Sequence, residues 1–121
     1  MSVADRVPGV SEYGSVDPAP PSKITDVNEL RDILLDESAK MFLRMRSVFS
    51  LRNNRGEMAV QALCDGFDAN SALLRHELAY LLGQMQDKLA VPTLIDVLSN
   101  PDEHVMVRHE AAEALGAIGD R

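Results

Sequence analysis

The chain repeats itself, and no other feature limits its fold as much. Arg75 to Asp87 reads RHELAYLLGQMQD and Arg108 to Asp120 reads RHEAAEALGAIGD, an offset of 33 residues with seven of thirteen positions identical. A weaker copy precedes them: LRMRSVFSLRNN sets Arg44, Phe49 and Leu51 against Arg75, Tyr80 and Leu82 at an offset of 31. That copy has Met45 and Arg46 where the later ones have His and Glu. A period near 30 to 40 residues, built from two helices, is the mark of an α-solenoid of HEAT type.

The hydrophobic pattern agrees, because apolar residues recur at helical spacing from Thr25 onward and no window alternates as a half-buried strand does. Six helices are predicted: VNELRDILLD, KMFLRMRSVFSL, EMAVQALCDGF, ALLRHELAYLLGQMQ, LAVPTLIDVLS and HVMVRHEAAEALGAI. Asp26, with Glu29 three residues on, opens the first. The Asn53-Asn54-Arg55-Gly56 turn stops the second, Asp65 to Ser71 caps the fourth, and Pro92 sits in the first turn of the fifth. The expected fold class is therefore all-α, a solenoid of stacked antiparallel helix pairs over residues 25–121. Residues 1–24 hold four of the six prolines and no periodicity, and they are predicted to be a disordered Pro/Ser-rich extension. The chain stops at Asp120-Arg121, where the equivalent Asp87-Lys88 leads into another helix. The repeat array is thus expected to be C-terminally incomplete, with Val107, Ala111, Leu115 and Ile118 uncovered and self-association as the consequence.

Charge narrows the choice of partner. Nineteen acidic residues against twelve basic ones give a formal charge of −7, a surface that repels phosphate backbones and attracts amines or basic proteins. Aromatic residues are 4% with no Trp, so stacking platforms for bases are not expected. The single cysteine, Cys64, excludes an internal disulfide and any cysteine-based zinc cluster. No apolar run approaches the ~18 residues of a membrane span, and the N-terminus has no signal-peptide core, so a cytoplasmic location is expected.

The chemistry lies in the repeated His-Glu step. In the fourth helix Leu74, Leu78, Leu81 and Met85 form the core stripe, and His76 falls on a different strip with Ala72, Ala79 and Gly83. The sixth helix repeats this, with Val107, Ala111, Ala114 and Ile118 inward and His109 beside Ala112 and Gly116. Small neighbours admit a helix or a ligand to that strip. Equivalent helices of stacked repeats lie ~8–10 Å apart, so His76 and His109 should share a surface. Imidazole and carboxylate without thiolate suit iron, manganese or zinc, and two His with one carboxylate is the ligand set of non-haem Fe(II) oxygenases. The candidate metal residues are His76, Glu77, His109 and Glu110. Successive helical residues diverge by ~100°, so two His and one Glu are expected on the metal, leaving the other Glu for substrate.

Other residues read as structural. His104 falls outside the register as a solvated turn residue, Cys64 as a buried thiol, and Tyr80 and Met85 as packing. Asp65, Asp68 and Asp102 read as turn and cap residues, and the Arg44, Arg75, Arg108 series as inter-repeat ion pairs. No phosphate loop, Ser-His-Asp set or nucleophilic-cysteine context appears.

SALLRHELAYLLGQMQD, then AVPTLIDVLS, then VMVRHEAAEALGAIGD strongly resemble the deoxyhypusine hydroxylase (deoxyhypusine monooxygenase) family, over about residues 27 to 121 with the proline-rich N-terminus outside. The resemblance implies a HEAT-repeat enzyme that uses Fe(II), as a di-iron centre, and O2 to hydroxylate deoxyhypusine, a modified lysine on a translation factor that serves as protein substrate. The family has four His-Glu steps in two pseudo-symmetric halves. The two present here, His76-Glu77 and His109-Glu110, imply one half, which we read as the N-terminal one, with little or no turnover alone. Carried over by position, His76, His109 and Glu110 become ligands of one iron. Glu77 becomes the catalytic residue beside it, holding the substrate amine. A HEAT scaffold that binds a protein partner without catalysis is the alternative.

Overall fold

A computed structural model describes residues 26–119. The proline-rich segment, Thr25, Asp120 and Arg121 lie outside the described residues. Six α-helices follow in order: α1 (Val27–Leu35), α2 (Met41–Asn54), α3 (Glu57–Asp65), α4 (Ala72–Met85), α5 (Val91–Ser99) and α6 (Val105–Ile118). Short 3-10 turns, Gly66–Asp68 and Lys88–Ala90, lead toward α4 and α5. No strand occurs among the described residues.

The helix ends follow from identifiable side chains. Asp26 accepts a hydrogen bond from the Asn28 amide (2.9 Å) and Ser71 Oγ accepts from the Leu74 amide (3.1 Å), each satisfying an amide the helix leaves unpaired. Pro92 occupies the first turn of α5, where its missing N–H costs little. Helix α2 runs three residues past Leu51, to Asn54, and ends on Arg55 in the left-handed region (φ 65°). Gly56 then keeps an ordinary φ of −75° as the residue before α3. His104 is not merely a solvated turn residue: its Nδ1 accepts from the Met106 amide (3.0 Å) and caps α6.

Leucines dominate the core. Leu30, Leu34, Leu51, Leu63, Leu74, Leu78 and Leu94 are fully buried with Val48, Val60 and Val107, each such side chain contributing roughly 1.5–3 kcal/mol by leaving water. Helix α1 packs on α2, α5 on α6, and α4 along α6. The expected stripe of α4 is inside, with Met85 partly buried at its end. Val107 and Ala111 are also fully covered, and Leu115 and Ile118 pack partly against the core. The apolar stripe of α6 is thus sheltered by α4 and α5 rather than bare, which corrects the expectation of an uncovered face there.

The repeated arginines tie helix ends together. Arg44 Nε donates to the Leu34 carbonyl (2.8 Å) at the end of α1, and Arg108 Nε to the Leu98 carbonyl (3.2 Å) near the end of α5. Arg75 donates to the carbonyls of Ala69 (2.8 Å) and Asn70 (2.9 Å). Among the described residues only Arg75 makes the expected ion pair to the next repeat, with Glu103 at 2.8 Å. Arg44 pairs instead with Glu37 just ahead of its own helix (3.2 Å). Asp65 is more than a turn residue, since it takes Arg31 of α1 at 2.9 Å.

Candidate metal centre

The strip of small residues on α4 determines where the site forms. A β-carbon added at Gly83 would lie 2.8 Å from Ala114 Cα and 3.0 Å from Ala114 Cβ, so the two helices approach here almost backbone to backbone. Ala79, one turn earlier, is fully buried. What the small residues admit is therefore a helix, α6. One more turn toward the start of α4 stands His76, and the crossing brings it to Glu110 of α6.

His76 Nε2 lies 3.1 Å from Glu110 Oε2, with the histidine side chain 34% and the carboxylate 13% exposed. Two donors at right angles on one metal with bonds of about 2.1 Å sit about 3.0 Å apart, so the pair is spaced for a shared ion as well as for a hydrogen bond. An imidazole nitrogen and a carboxylate oxygen are a fitting start of a donor set for iron.

The other two candidates are not drawn to this pair. His109 Nε2 lies 3.1 Å from Glu113 Oε1, four residues on in the same helix, and both side chains are largely exposed. Glu77 is half-buried and has no hydrogen-bond or ion-pair partner among the described residues. Among the described residues no group of three or more His, Cys, Asp and Glu is gathered as a metal-binding cluster. Of the four sequence candidates, two meet across helices, His109 is held one residue before Glu110, and Glu77 stands apart.

Two supporting carboxylates escaped the sequence reading. Glu103 grips Arg75, the residue before His76, through both its oxygens (2.8 and 3.1 Å to Nε, 2.8 Å to a terminal nitrogen). Burial pushes the Glu103 carboxyl up, but the Arg75 contacts and the His104 amide outweigh it, and the net result lies below the usual carboxylate range. Glu37 is lowered likewise, first by the Asn70 amide and then by Arg44. The repeat register gave no signal for them, because the 33-residue counterpart of Glu103 is Asn70, and Glu37 precedes Arg44 by seven residues where Glu103 precedes Arg108 by five. Glu113 was also missed, although His109 four residues before it marks a pair on one helix face. Tyr80 is not a packing residue: it is 46% exposed and its hydroxyl accepts from Gln84 Nε2 at 3.0 Å. Cys64 is buried as expected, and burial raises its thiol above the ordinary range, so it is not a reactive thiolate.

Residues 60–121, half of the chain, match the HEAT repeats family. This chain belongs to the HEAT-repeat family. It is also 54% identical over 111 residues to the human deoxyhypusine hydroxylase, which covers 92% of this chain and 37% of that protein. The rice deoxyhypusine hydroxylase-B is 53% identical over 113 residues, covering 93% and 37%. The solved structure of human deoxyhypusine hydroxylase in complex with glycerol superposes with a TM-score of 0.82 at 54% identity, over 93% of this chain and 39% of that one. The chain spans just over a third of the length of these relatives. A match of 111 residues leaves at most ten of the 121 outside it. The similarity thus begins well before residue 27 and takes in most of the proline-rich segment, which corrects the expected bound.

Proposed function

We propose that this chain supplies one iron-binding part of a non-haem hydroxylase that converts a protein-bound deoxyhypusine residue to hypusine. His76, His109 and Glu110 hold the metal, and Glu77 faces the substrate amine. The contact that carries this reading is His76 to Glu110 at 3.1 Å, an imidazole and a carboxylate brought together from helices 33 residues apart. The similarity to deoxyhypusine hydroxylases supports the choice of reaction. The iron, when bound, supplies O2 activation, and the complete reaction uses a second such half with its own iron.

The protein's own groups do the rest. Glu110, the less exposed of the pair, is held between helices and fixes the metal side of α6 against α4. His109, one residue away, would be the further ligand, and the contact to Glu113 that it would give up is exposed and worth only a few tenths of a kcal/mol. Arg75, locked by Glu103 and two carbonyls, pins the first turn of α4 and with it the position of His76. Glu77, with no competing partner among the described residues, offers its charge to the cationic arm of a modified lysine on a translation factor, the expected cytoplasmic substrate. The net charge of −7 favours the approach of such a group.

Metal analysis tests this directly. After equilibration with Fe(II), the wild-type chain is expected to retain about one ion weakly, and His76→Ala, His109→Ala and Glu110→Ala each to lose at least tenfold in affinity. His104→Ala, outside the site, should bind as the wild type does. Equal metal content in all five proteins would overturn the assignment.

A further inference from the structure

From the His76–Glu110 contact, an open groove of about 280 Å³ runs along the α4–α6 seam toward the helix ends. Its floor is Gly83, Ala114 and Ala117, where the helices touch. Tyr80 flanks it with an exposed ring, and Glu110 and Glu113 line the α6 side. The far end is spanned by a hydrogen bond from Gln86 Nε2 to the Ala117 carbonyl (3.2 Å). Among the described residues no basic side chain lines the groove. His76 takes one oxygen of Glu110 and His109 one oxygen of Glu113, and among the described residues the second oxygen of each carboxylate has no partner.

An apolar floor, an aromatic flank and a carboxylate edge describe a seat for an aliphatic amine. Residues 76 to 84 of α4 span about 12 Å at the helical rise, and a four-carbon diamine reaches roughly 6 Å between its nitrogens from standard bond lengths. We propose that this groove seats the aminobutyl arm of the substrate, its methylenes on Gly83, Ala114 and Ala117 and its terminal ammonium on the Glu113 carboxylate, while the secondary amine, which lysine also offers as its own ammonium, is the group left to Glu77. Glu113 is then a specificity-determining residue that the metal assignment does not use. The choice of arm rests on the function proposed above, but the groove can be probed without metal.

The experiment is calorimetry of the metal-free chain with two short peptides, one carrying lysine and the other N6-(4-aminobutyl)lysine. The modified peptide should bind at least about tenfold more tightly, the scale of one charge-assisted hydrogen bond. Glu113→Gln, which keeps an oxygen for His109 but loses the charge, should remove about that tenfold. Ala117→Leu, at an exposed helical position on the floor, should block the arm while leaving helix content and Fe(II) uptake unchanged. Equal affinity for the two peptides, or variants that bind the modified peptide as the wild type does, would overturn the proposal. Fe(II) uptake with no preference between peptides would sink the groove alone. A groove-dependent preference without Fe(II) uptake would sink the metal reading alone.

Discussion

Helices α4 and α6 are one helix written twice, yet the same positions meet different surroundings. Ala79 and Gly83 of α4 are buried beneath α6, whereas their counterparts Ala112 and Gly116 of α6 are exposed. A β-carbon at Gly83 would collide with Ala114, and one at Gly116 would meet nothing within 4 Å. The core stripe differs the other way: Leu74, Leu78 and Leu81 face inward on α4, and Val107, Ala111 and Ala114 do so on α6, all buried. Thinner core residues on α6 let it lie close against α4. A glycine in a repeat serves as a docking surface only where a neighbour arrives, and elsewhere it weakens its own helix.

The contrast is broken most severely on the core side. Leu78 is fully buried, and its Cδ1 would lie 2.7 Å from a β-carbon at Gly66, so it fills the space behind the α3–α4 turn. Leu78→Ala installs the residue that α6 carries at the equivalent Ala111, and it should cost about 2–5 kcal/mol in urea unfolding. A loss below about 1 kcal/mol would mean the site collapses to α6-like packing.

Gly83→Ala comes next. Crowding the Ala114 backbone costs about 1–3 kcal/mol, and the gain in helix propensity offsets up to about 1, so a net loss of about 1–2 kcal/mol is expected. The His76–Glu110 contact should loosen with it, visible as weaker Fe(II) binding in a variant that changes no ligand.

Much of this was legible beforehand because it is local. Asp26, Ser71 and Pro92 announce helix starts through backbone chemistry that needs no tertiary context. The His-Glu steps were equally plain, since the repeat shows them in register. What helical spacing could not decide is which carboxylate meets His76, because that depends on how closely α4 and α6 approach at Gly83 and Ala114. Tyr80 was misjudged despite a signal, for its 33-residue counterpart is Glu113, and a position that accepts a glutamate faces outward. The N-terminal extension and its expected disorder fall outside the described residues.

The arginine series sharpens the comparison at smaller cost. Arg75 of α4 has Glu103, while among the described residues its counterpart Arg108 has a single carbonyl, that of Leu98. Glu103→Gln should therefore lower stability by about 1 kcal/mol at neutral pH. Because the folded-state pKa is depressed below the ordinary 4.5, this contribution is complete above 4.5 and is lost as pH falls through the folded value. Melting temperatures of wild type and variant should differ at pH 7 and converge in acid. A gap that persists unchanged at pH 2 would show that the variant acts through packing and not through charge.

The smallest effect carries the opposite sign. Gly116 sits inside α6 with an exposed backbone and open space where a β-carbon would go. Gly116→Ala should therefore stabilise this chain by about 0.5–1 kcal/mol, by narrowing the unfolded ensemble and restoring helix propensity. The same chemical change at Gly83 destabilises, so the pair isolates what a covering helix does to a glycine. Thermal melts at two protein concentrations decide it. A gain independent of concentration places the Gly116 face in water, as the geometry requires. A loss that deepens with concentration would mean that a second copy covers this face as α6 covers α4, and the contrast between the two helices would vanish.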